Sequence, residues 1–568
     1  MNSIIFHTIL ILMVPLKSSG YSIWPIHVTI NEIIPRERNK HTVLSGLWFG
    51  YTEPDMTLFL QPFVDDAENL ATTGIKWQSS NGKIISSKFV PLVAAVDSVA
   101  RPMLQNTTQY NGMFGCAMCK HPGKQAKRGN GTAHIYPLQN YSDRTDEETV
   151  QHMRQAVRDG KVIMGVKGPS VLINLPYFNI VSGFSHEYMH SVLLGVTRQM
   201  TYLFLTSVGT DFSIGSPRRL NLVNSRLSGL TPTSEITRCP RSLKGVKYWK
   251  ASEWRTWLLF YCIPCLRDII PARNLQHLLL LSKAIFILLK AQITYQEINK
   301  AHEFLIEFVG KMEILYGPEE CKFNVHLLTH LAMSVKNWGP LLAHSAFGFE
   351  SANGRLAKLI KGTQYILKQI TRRFLLSKAL PCFSKHVQFN PSCQELYEKL
   401  TDLILPRVSA AAEIDKGFVM LGRPSISKLS AEEAAALLDC NVNPAPDEIA
   451  VYKRMIYQKC LLHSTQYTRA TKRNNTIIMA DNTYYKILKL ATYKTQREKQ
   501  CVLFVKPLNI QQNRIFGQHS QLQLVVEGSG LFAIKIQNVQ QKCIYIYAQM
   551  ETTVMFAHFQ ICMNETKL

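Results

Sequence analysis

The sequence predicts a mixed α/β protein: an α/β core interrupted by an all-α insertion and followed by a β-rich C-terminal module. Three patterns predict it. Apolar residues alternate with period two in runs within residues 22–100, as in half-buried strands. Between Trp254 and Trp338 they recur with the 3.6-residue period of helices. From residue 447 onward alternation returns, as in Gln521–Glu527 and Cys543–Gln549.

In chain order, Tyr21–Ile30 is β-rich, Thr42–Gly50 is apolar and aromatic, and Ile84–Val96 alternates up to Asp97. Residues 22–100 therefore read as strands separated by loops. Residues 111–145, rich in Gly, Lys, Asn and His, read as loops, Glu147–Gly160 as a helix, and the Ser, Pro, Gly and Arg of 205–248 as an extended surface segment. Trp254–Leu266, Leu275–Gln292, Tyr295–Tyr316 and Asn324–Trp338 predict helices, and Glu350–Leu380 a further helical stretch after the break at Pro340. Ala410–Pro446 reads as a linker with one short helix, Ser430–Leu438. There is no internal repeat.

The chain has 568 residues, 46% of them hydrophobic, which excludes a disordered or collagen-like protein and allows three or four structural units. No run of eighteen apolar residues occurs, which excludes a multi-pass membrane protein. With 64 Lys and Arg against 40 Asp and Glu the net charge is +24, which favours a polyanionic partner, nucleic acid first. Most of the thirteen cysteines are scattered singly (Cys321, Cys382, Cys440, Cys543), as in a reduced intracellular protein. Ile4–Leu16, followed by Lys17-Ser18-Ser19-Gly20, has the outline of a signal peptide. It lacks a basic n-region, however, and contains His7, Thr8 and Pro15. The sequons at Asn106, Asn130, Asn140, Asn474 and Asn564 are no more than chance supplies in a chain this long.

Four constellations can carry chemistry. Cys116-Ala-Met-Cys119, followed by His121, offers half of a tetrahedral zinc site. His326 and His330, four apart on a helix, share a face and can reach one ion. Together, Cys116, Cys119, His326 and His330 would make a closed, structural Cys2His2 site linking the first block to the helical region. His186-Glu187-Tyr188-Met189-His190 is a literal HExxH, the zincin signature. Yet Leu193 and Val196 stand where a metzincin has its Gly and third His, and the next Glu is Glu235, so a packed or supporting role is expected. Cys262-Ile-Pro-Cys265 reads as core packing at a Pro-stopped helix. Asp97 ends an apolar run and Glu350 opens a helix. Taken singly, each reads as a cap or surface acid; together, carboxylates at a strand end and on a facing helix can bind paired Mg2+ for phosphodiester chemistry.

Several segments resemble the CACTA (En/Spm-type) DNA transposases. They are Ser22-Ile-Trp-Pro25, Leu44-Ser-Gly-Leu-Trp-Phe-Gly50, Pro62-Phe-Val64, Asp97-Ser-Val-Ala-Arg101 and Tyr110-Asn-Gly-Met-Phe-Gly-Cys116-Ala-Met-Cys119. Tyr188-Met-His190-Ser-Val-Leu-Leu-Gly195, Trp249-Lys-Ala-Ser-Glu-Trp254, Asn324-Val-His326, Trp338-Gly-Pro-Leu341 and Ser345-Ala-Phe-Gly-Phe-Glu350-Ser-Ala-Asn-Gly354 continue the match, which runs from about residue 14 to 370. The resemblance implies an RNase H-like fold with a helical insertion before the last acid of a DDE triad. Asp97 matches the second acid and Glu350 the third, while Cys116, Cys119, His326 and His330 match the family's zinc-binding residues. Asp97 lies 19 positions before Cys116 and His330 lies 20 before Glu350, a layout similar to that of the V(D)J recombinase and its transposon relatives. His190 falls within a family motif. The implied organisation is residues 1–180 as the first part of the core with the CxxC loop, 181–325 as the insertion, 326–380 as returning helices, 381–450 as a linker and 451–568 as a basic β-rich module.

The chain departs from the family at the first acid. Leu12 and Met13, before Val14-Pro15-Leu16-Lys17-Ser18-Ser19, occupy the place of the family's Asp-Gly, and the chain starts too late for the family's DNA-binding N-terminus. The resemblance thus implies a truncated or decayed copy, with the apolar N-terminus a remnant first strand and the two-metal arrangement disabled. The expected function is DNA binding in the nucleus, with structural Zn2+, doubtful Mg2+, a homo-oligomeric assembly and no membrane partner. Residues 451–500 hold eleven Lys and Arg against two acids, interleaved with Tyr452, Tyr457, Tyr467, Tyr484, Tyr485 and Tyr493. Within them Lys472, Arg473, Lys486, Lys489, Lys494 and Arg497 are candidate phosphate contacts, though no base-reading motif is present. The alternatives are a secreted zinc peptidase using the HExxH, and a non-catalytic interaction protein that keeps the fold.

Overall fold

The computed structural model describes residues 3–12, 21–38, 41–233, 236, 238–400, 411–413, 418–442, 445–458, 460–467, 476–494, 499–511, 522–548 and 554–557. It is a mixed α/β structure with several sheets. The chain divides into two compact units: Met1–Gly215 with Ile270–Val387, and Ser216–Ile269 with Gln388–Leu568.

The first unit is built on a mixed sheet. β1 (Ser3–Leu12), β2 (Ser22–Ile30) and β3 (Val43–Gly50) run antiparallel to their neighbours in the order β3-β2-β1. A helix, α1 (Met56–Thr72), follows β3, and then β4 (Ile75–Gln78) and β5 (Ile84–Val96). β5 lies parallel to β1, from Ser3↔Ser86 to Leu10↔Ala94, and β4 pairs antiparallel with the start of β5. α2 (Ala100–Gln105), the hairpin of β6 (Lys124–Arg128) and β7 (Gly131–Ile135), and α3 (Asp146–Asp159) come next. The three-residue β8 (Phe184–His186) then pairs in parallel with the end of β5, Val96 facing His186.

Strand faces follow the side-chain alternation. Trp24 and Ile26 pack with Leu60, Val64 and Ala67 of α1, with Ala94 and Val96 of β5, and with Leu104 and Met153. Ile23 points the other way, into a cluster with Leu356, Ile366 and Ile370. Val90, Val93, Ala94, Ala95 and Val96 are all buried, as expected of a strand covered on both faces.

Further helices of this unit include a π-helical turn, Met189–Thr197, continuing into α4 (Arg198–Thr206), then α5 (Ala272–Leu288), α6 (Tyr295–Tyr316), α7 (Phe323–Trp338), α8 (Phe347–Lys358) and α9 (Ile366–Phe383). α6 packs against both α5 and α7. Its start is fixed by a capping box: Glu297 N donates to Thr294 Oγ1 at 3.2 Å and Thr294 N to Glu297 Oε2 at 2.9 Å.

In the second unit, Thr483–Lys494 pairs antiparallel with Lys499–Gln511 at the centre of the larger sheet, over a core that includes Ile478, Ile487, Leu490, Leu503 and Val505. A four-stranded antiparallel sheet includes Phe418–Leu421 and Arg454–Tyr457. Leu230 and Thr231 add to the strand Gln541–Ala548. Among the described residues, no helix is long and apolar enough to cross a membrane.

Several expectations are corrected. Residues 22–100 contain α1, whose buried Leu60, Val64, Ala67 and Ala71 form a helical stripe and whose N-terminus Asp55 caps through the Thr57 and Leu58 amides. The loop-like composition of 111–145 conceals the β6–β7 hairpin, and 205–248 contains the helix Pro217–Ser228, started by Ser216 and Pro217. Glu350–Leu380 is two helices, because Tyr365 adopts φ 52° between them. β8 is a core strand inside the segment assigned to the insertion, and three residues are too few to give a periodic signal. Residues 381–450 also carry the helix Pro391–Leu400 and several strands, so they are more than a linker.

Candidate metal centre and acidic cleft

The CxxC loop follows α2 and is shaped by close packing. A Cβ at Gly115 would stand 2.4 Å from Gln109 O, so only glycine fits immediately before Cys116. The guanidinium of Arg144 binds the loop from within, donating to Cys116 O (2.9 Å), Cys119 O (3.1 Å), Phe114 O (3.1 Å) and Met164 O (2.8 Å). His326 and His330, one turn apart on α7, meet the two thiols. Cys119 Sγ lies 3.4 Å from His326 Nε2, Cys116 Sγ lies 3.7 Å from His330 Nε2, and the two Nε2 atoms are 3.3 Å apart.

All four donor atoms lie within 4.8 Å of one another in a buried group that can hold a metal ion such as zinc. The donor chemistry and the spacing both fit. Zn–S bonds of about 2.3 Å and Zn–N bonds of about 2.0 Å give tetrahedral edges of roughly 3.3–3.8 Å. Burial pushes the Cys116 thiol up, but the bond to Cys119 and the charges of His326 and His330 outweigh it and hold this thiol well below the ordinary range. Cys119 is pushed up in turn, first by that bond and then by burial. Tyr136 stacks on His326 with ring centroids 5.2 Å apart, and Asp143 Oδ1 stands 4.0 Å from His330 Nδ1. His121 is engaged elsewhere, with Nε2 on Pro137 O at 2.9 Å and Nδ1 accepting from Gly123 N.

Arg144→Ala removes four charge-assisted hydrogen bonds and leaves their carbonyls buried. We expect it to cost on the order of 4 kcal/mol of stability and to weaken zinc retention. Chemical denaturation and zinc release to a chromogenic chelator read both, and Arg144→Lys, which keeps the charge without the fork, should rescue neither fully.

Beside this group is a small cleft of about 20 Å³, lined by Asp97, Arg101, His186, Glu187, His190 and residues of the CxxC loop and α7. Asp97, at the end of β5, caps α2 through the Val99 (3.0 Å) and Ala100 (2.7 Å) amides. Glu350 lies in the first turn of α8, and its Oε1 stands 3.6 Å from His190 Nε2. Glu350 is thus paired with His190, and Asp97 lines the cleft that His190 also lines. Burial alone would lower the His190 pKa. The bonds to Glu187 and Glu350, with the charges of Glu187 and Asp97, outweigh it and raise the pKa to about 10. The register carries the last residue of β1, Leu12, to the same end of the sheet as Val96 and Asp97. Met13 lies outside the described residues.

The HExxH residues do not share a helical face. His186 ends β8 with Nδ1 3.4 Å from Arg101 Nη1, an arrangement in which the ring nitrogen accepts, while His190 sits in the π-helical turn. Glu187 is the hub of this segment. Its carboxylate accepts from Met189 N (2.9 Å), His190 N (2.8 Å), His190 Nδ1 (2.8 Å) and Ala346 N (3.0 Å). The HExxH spacing marked these residues but not their task, and nothing in the sequence marks Arg144. Cys262 and Cys265 are buried core residues whose thiols burial pushes up.

Of the basic candidates, Lys472, Arg473 and Arg497 lie outside the described residues. Lys486 is paired with Glu527, and Lys489 with Glu433, the residue that completes the capping box of the helix Ala431–Asp439. Each of these two lysines thus has a carboxylate partner within its own unit. Lys494 is exposed at the end of its strand.

No protein-family model matches the chain, and no curated protein matches its sequence.

Proposed function

We propose that the chain is a transposase-derived, nuclear DNA-binding protein of the CACTA (En/Spm) kind, with an RNase H-like core that does not cleave DNA. The observation that carries this reading is the meeting of two thiols and two imidazoles 207 and 214 positions apart, which ties α7 to the CxxC loop. Of the acids that the resemblance singles out, Glu350 is paired with His190 beside this tie, and Asp97 lines the cleft that His190 also lines. The mixed sheet, and the helices α5–α7 before Glu350, also support it.

Zinc would be held by Cys116, Cys119, His326 and His330, with no position left for substrate, so its part is structural. Paired Mg2+ does not fit. The first-strand position carries Leu12 and Met13, and two carboxylates are too few for a two-metal site. DNA contact falls to the basic C-terminal module through Lys472, Arg473, Lys494 and Arg497.

The test is a salt titration of duplex DNA binding by the full chain. With about four phosphates neutralised, affinity should fall roughly a hundredfold between about 50 and 200 mM salt. Replacing Lys472, Arg473 and Arg497 by Ala should reduce the log–log slope by about three. Absence of binding at low salt would overturn the reading in favour of an interaction protein that keeps the fold.

A further inference from the structure

Charge is spread unevenly over the first unit. Between residues 41 and 75 the chain has five acids and no Lys or Arg, although its net charge is +24. Between residues 351 and 394 it has eight Lys and Arg and no acid. The first stretch contains α1 and the second contains α9, and these helices pack on opposite faces of the mixed sheet. Ile366 and Ile370 hold the start of α9 to the sheet. Its second half turns Leu376, Leu380 and Phe383 outward, with Phe383 68% exposed. On α1, Leu58 is 76% exposed, and Pro62, Asp65, Asp66 and Glu68 are exposed with it.

Each helix thus offers apolar side chains and, one or two turns away, charges of a single sign. On α1, Leu58 and Pro62 precede Asp65 and Asp66; on α9, Arg372 and Arg373 precede Leu376 and Leu380. Steps of three and four residues keep each set on one helical face. The order is reversed between the helices and the spacing is the same. Seven residues, about 10 Å of helix, separate Leu58 from Asp65 and Arg373 from Leu380. Antiparallel helices laid face to face therefore set Leu58 and Pro62 against Leu380 and Leu376, while Asp65 and Asp66 meet Arg373 and Arg372. Among the described residues none of these four charges has a partner of opposite sign. Asp65 accepts from Gln61 Nε2 at 2.7 Å, and Arg373 donates to the Leu359 carbonyl.

Within one copy the sheet stands between α1 and α9. A second copy supplies the missing face. We infer that copies of this chain associate head to tail, the acidic face of α1 on one copy docking on the basic, apolar face of α9 on the next. Two different patches make the contact heterologous, so a free α1 remains at one end and a free α9 at the other. The assembly then grows past two copies or closes as a ring. The apolar side chains supply most of the attraction, since exposed charge pairs contribute little, and the charges set direction and partner. One helix pair lies at the small end of specific interfaces, below about 1,200 Å² of buried surface, so association is expected at micromolar protein. The contact uses none of the residues assigned to DNA above.

Sedimentation velocity of the full, nuclease-treated chain across the micromolar range tests this. The mean mass should rise with concentration past that of a pair, and fall as salt is added. Asp65→Lys with Asp66→Lys, and Arg372→Glu with Arg373→Glu, should each weaken association at least tenfold. All four side chains are exposed, so both variants should keep the wild-type Tm. An equal mixture of the two should form one-to-one pairs and stop there, because each variant keeps the face that the other has lost. The chain bearing all four changes should assemble again, its charges having been exchanged. A wild type that stays monomeric, an assembly that stops at two copies, full association of either variant alone, or no pairing in the mixture would overturn the contact. Salt-dependent DNA binding by a chain that stays monomeric would remove this contact and leave the DNA-binding reading standing.

Discussion

Replacing Cys116 and Cys119 by Ser is expected to release one zinc ion per chain and to abolish cooperative unfolding of the unit that carries the site. The magnitude follows from what the group joins. Metal binding to structural Cys/His sites is worth on the order of 10 kcal/mol in apparent free energy, comparable to the whole stability of a domain. Here it fastens α7 to a loop more than 200 residues earlier, and α7 is followed by the helix that bears Glu350. Without the ion, two thiols and two imidazoles remain together with nothing to bridge all four. Metal analysis of the purified chain and calorimetry with and without a strong chelator measure the effect. A metal-free chain that melts as the wild type does would disprove it. His186→Gln, by contrast, should keep its zinc, whereas a peptidase using the HExxH would lose it.

Acid is expected to destabilise the same unit steeply before its carboxylates titrate. Burial lowers His27, His277 and His344 to about 4 each, against about 6.5 for an unfolded histidine. Burial is the first cause for each, and it outweighs bonds that act the other way: His27 Nε2 to Asn353 Oδ1 at 3.0 Å and His277 Nε2 to Phe308 O at 2.8 Å both favour the protonated ring. Above pH 6.5 these three rings are neutral in both states and their contribution to stability is flat. As pH falls from 6.5 toward 4 the unfolded chain takes up protons that the fold refuses, and stability drops. Each ring contributes on the order of 3 kcal/mol over that window. His190, raised to about 10, is charged in both states throughout this range and acts only on the alkaline side. Urea unfolding at successive pH values measures the slope, and His277→Gln should flatten it by the share of one ring. A stability that does not change between pH 6.5 and 4.5 would refute this account.

The sequence was most legible where period and spacing act locally. Tyr295–Tyr316 was bounded to the residue because Thr294 and Glu297 form a capping box and Gly317 ends the helix. Ile84–Val96 was legible because a strand buried on both faces is a continuous apolar run. The Cys116/Cys119 and His326/His330 pairs could each be read from spacing, and the need of a half-site for a complementary half joined them across two hundred residues, as the resemblance also implied. α1 was hidden because its stripe is diluted by exposed Leu58 and partly exposed Phe59 and Phe63. β8 is too short to announce itself. Arg144 and Glu187 act through tertiary contacts with backbone groups far along the chain, and no local pattern encodes those.

The span between Cys119 and His326 also bears on how the protein is made. At about 5–20 residues per second, a ribosome needs roughly 10–40 s to deliver the second pair of metal donors after the first. Through that interval the nascent chain exposes two reactive sulfurs with nothing to quench them. Closing so large a ring also costs entropy that only the late-arriving helix can offset. If zinc fills this group, as proposed, the tie that secures the finished unit makes biogenesis its most vulnerable stage, and zinc supply would bear on how much of the newly synthesised protein matures.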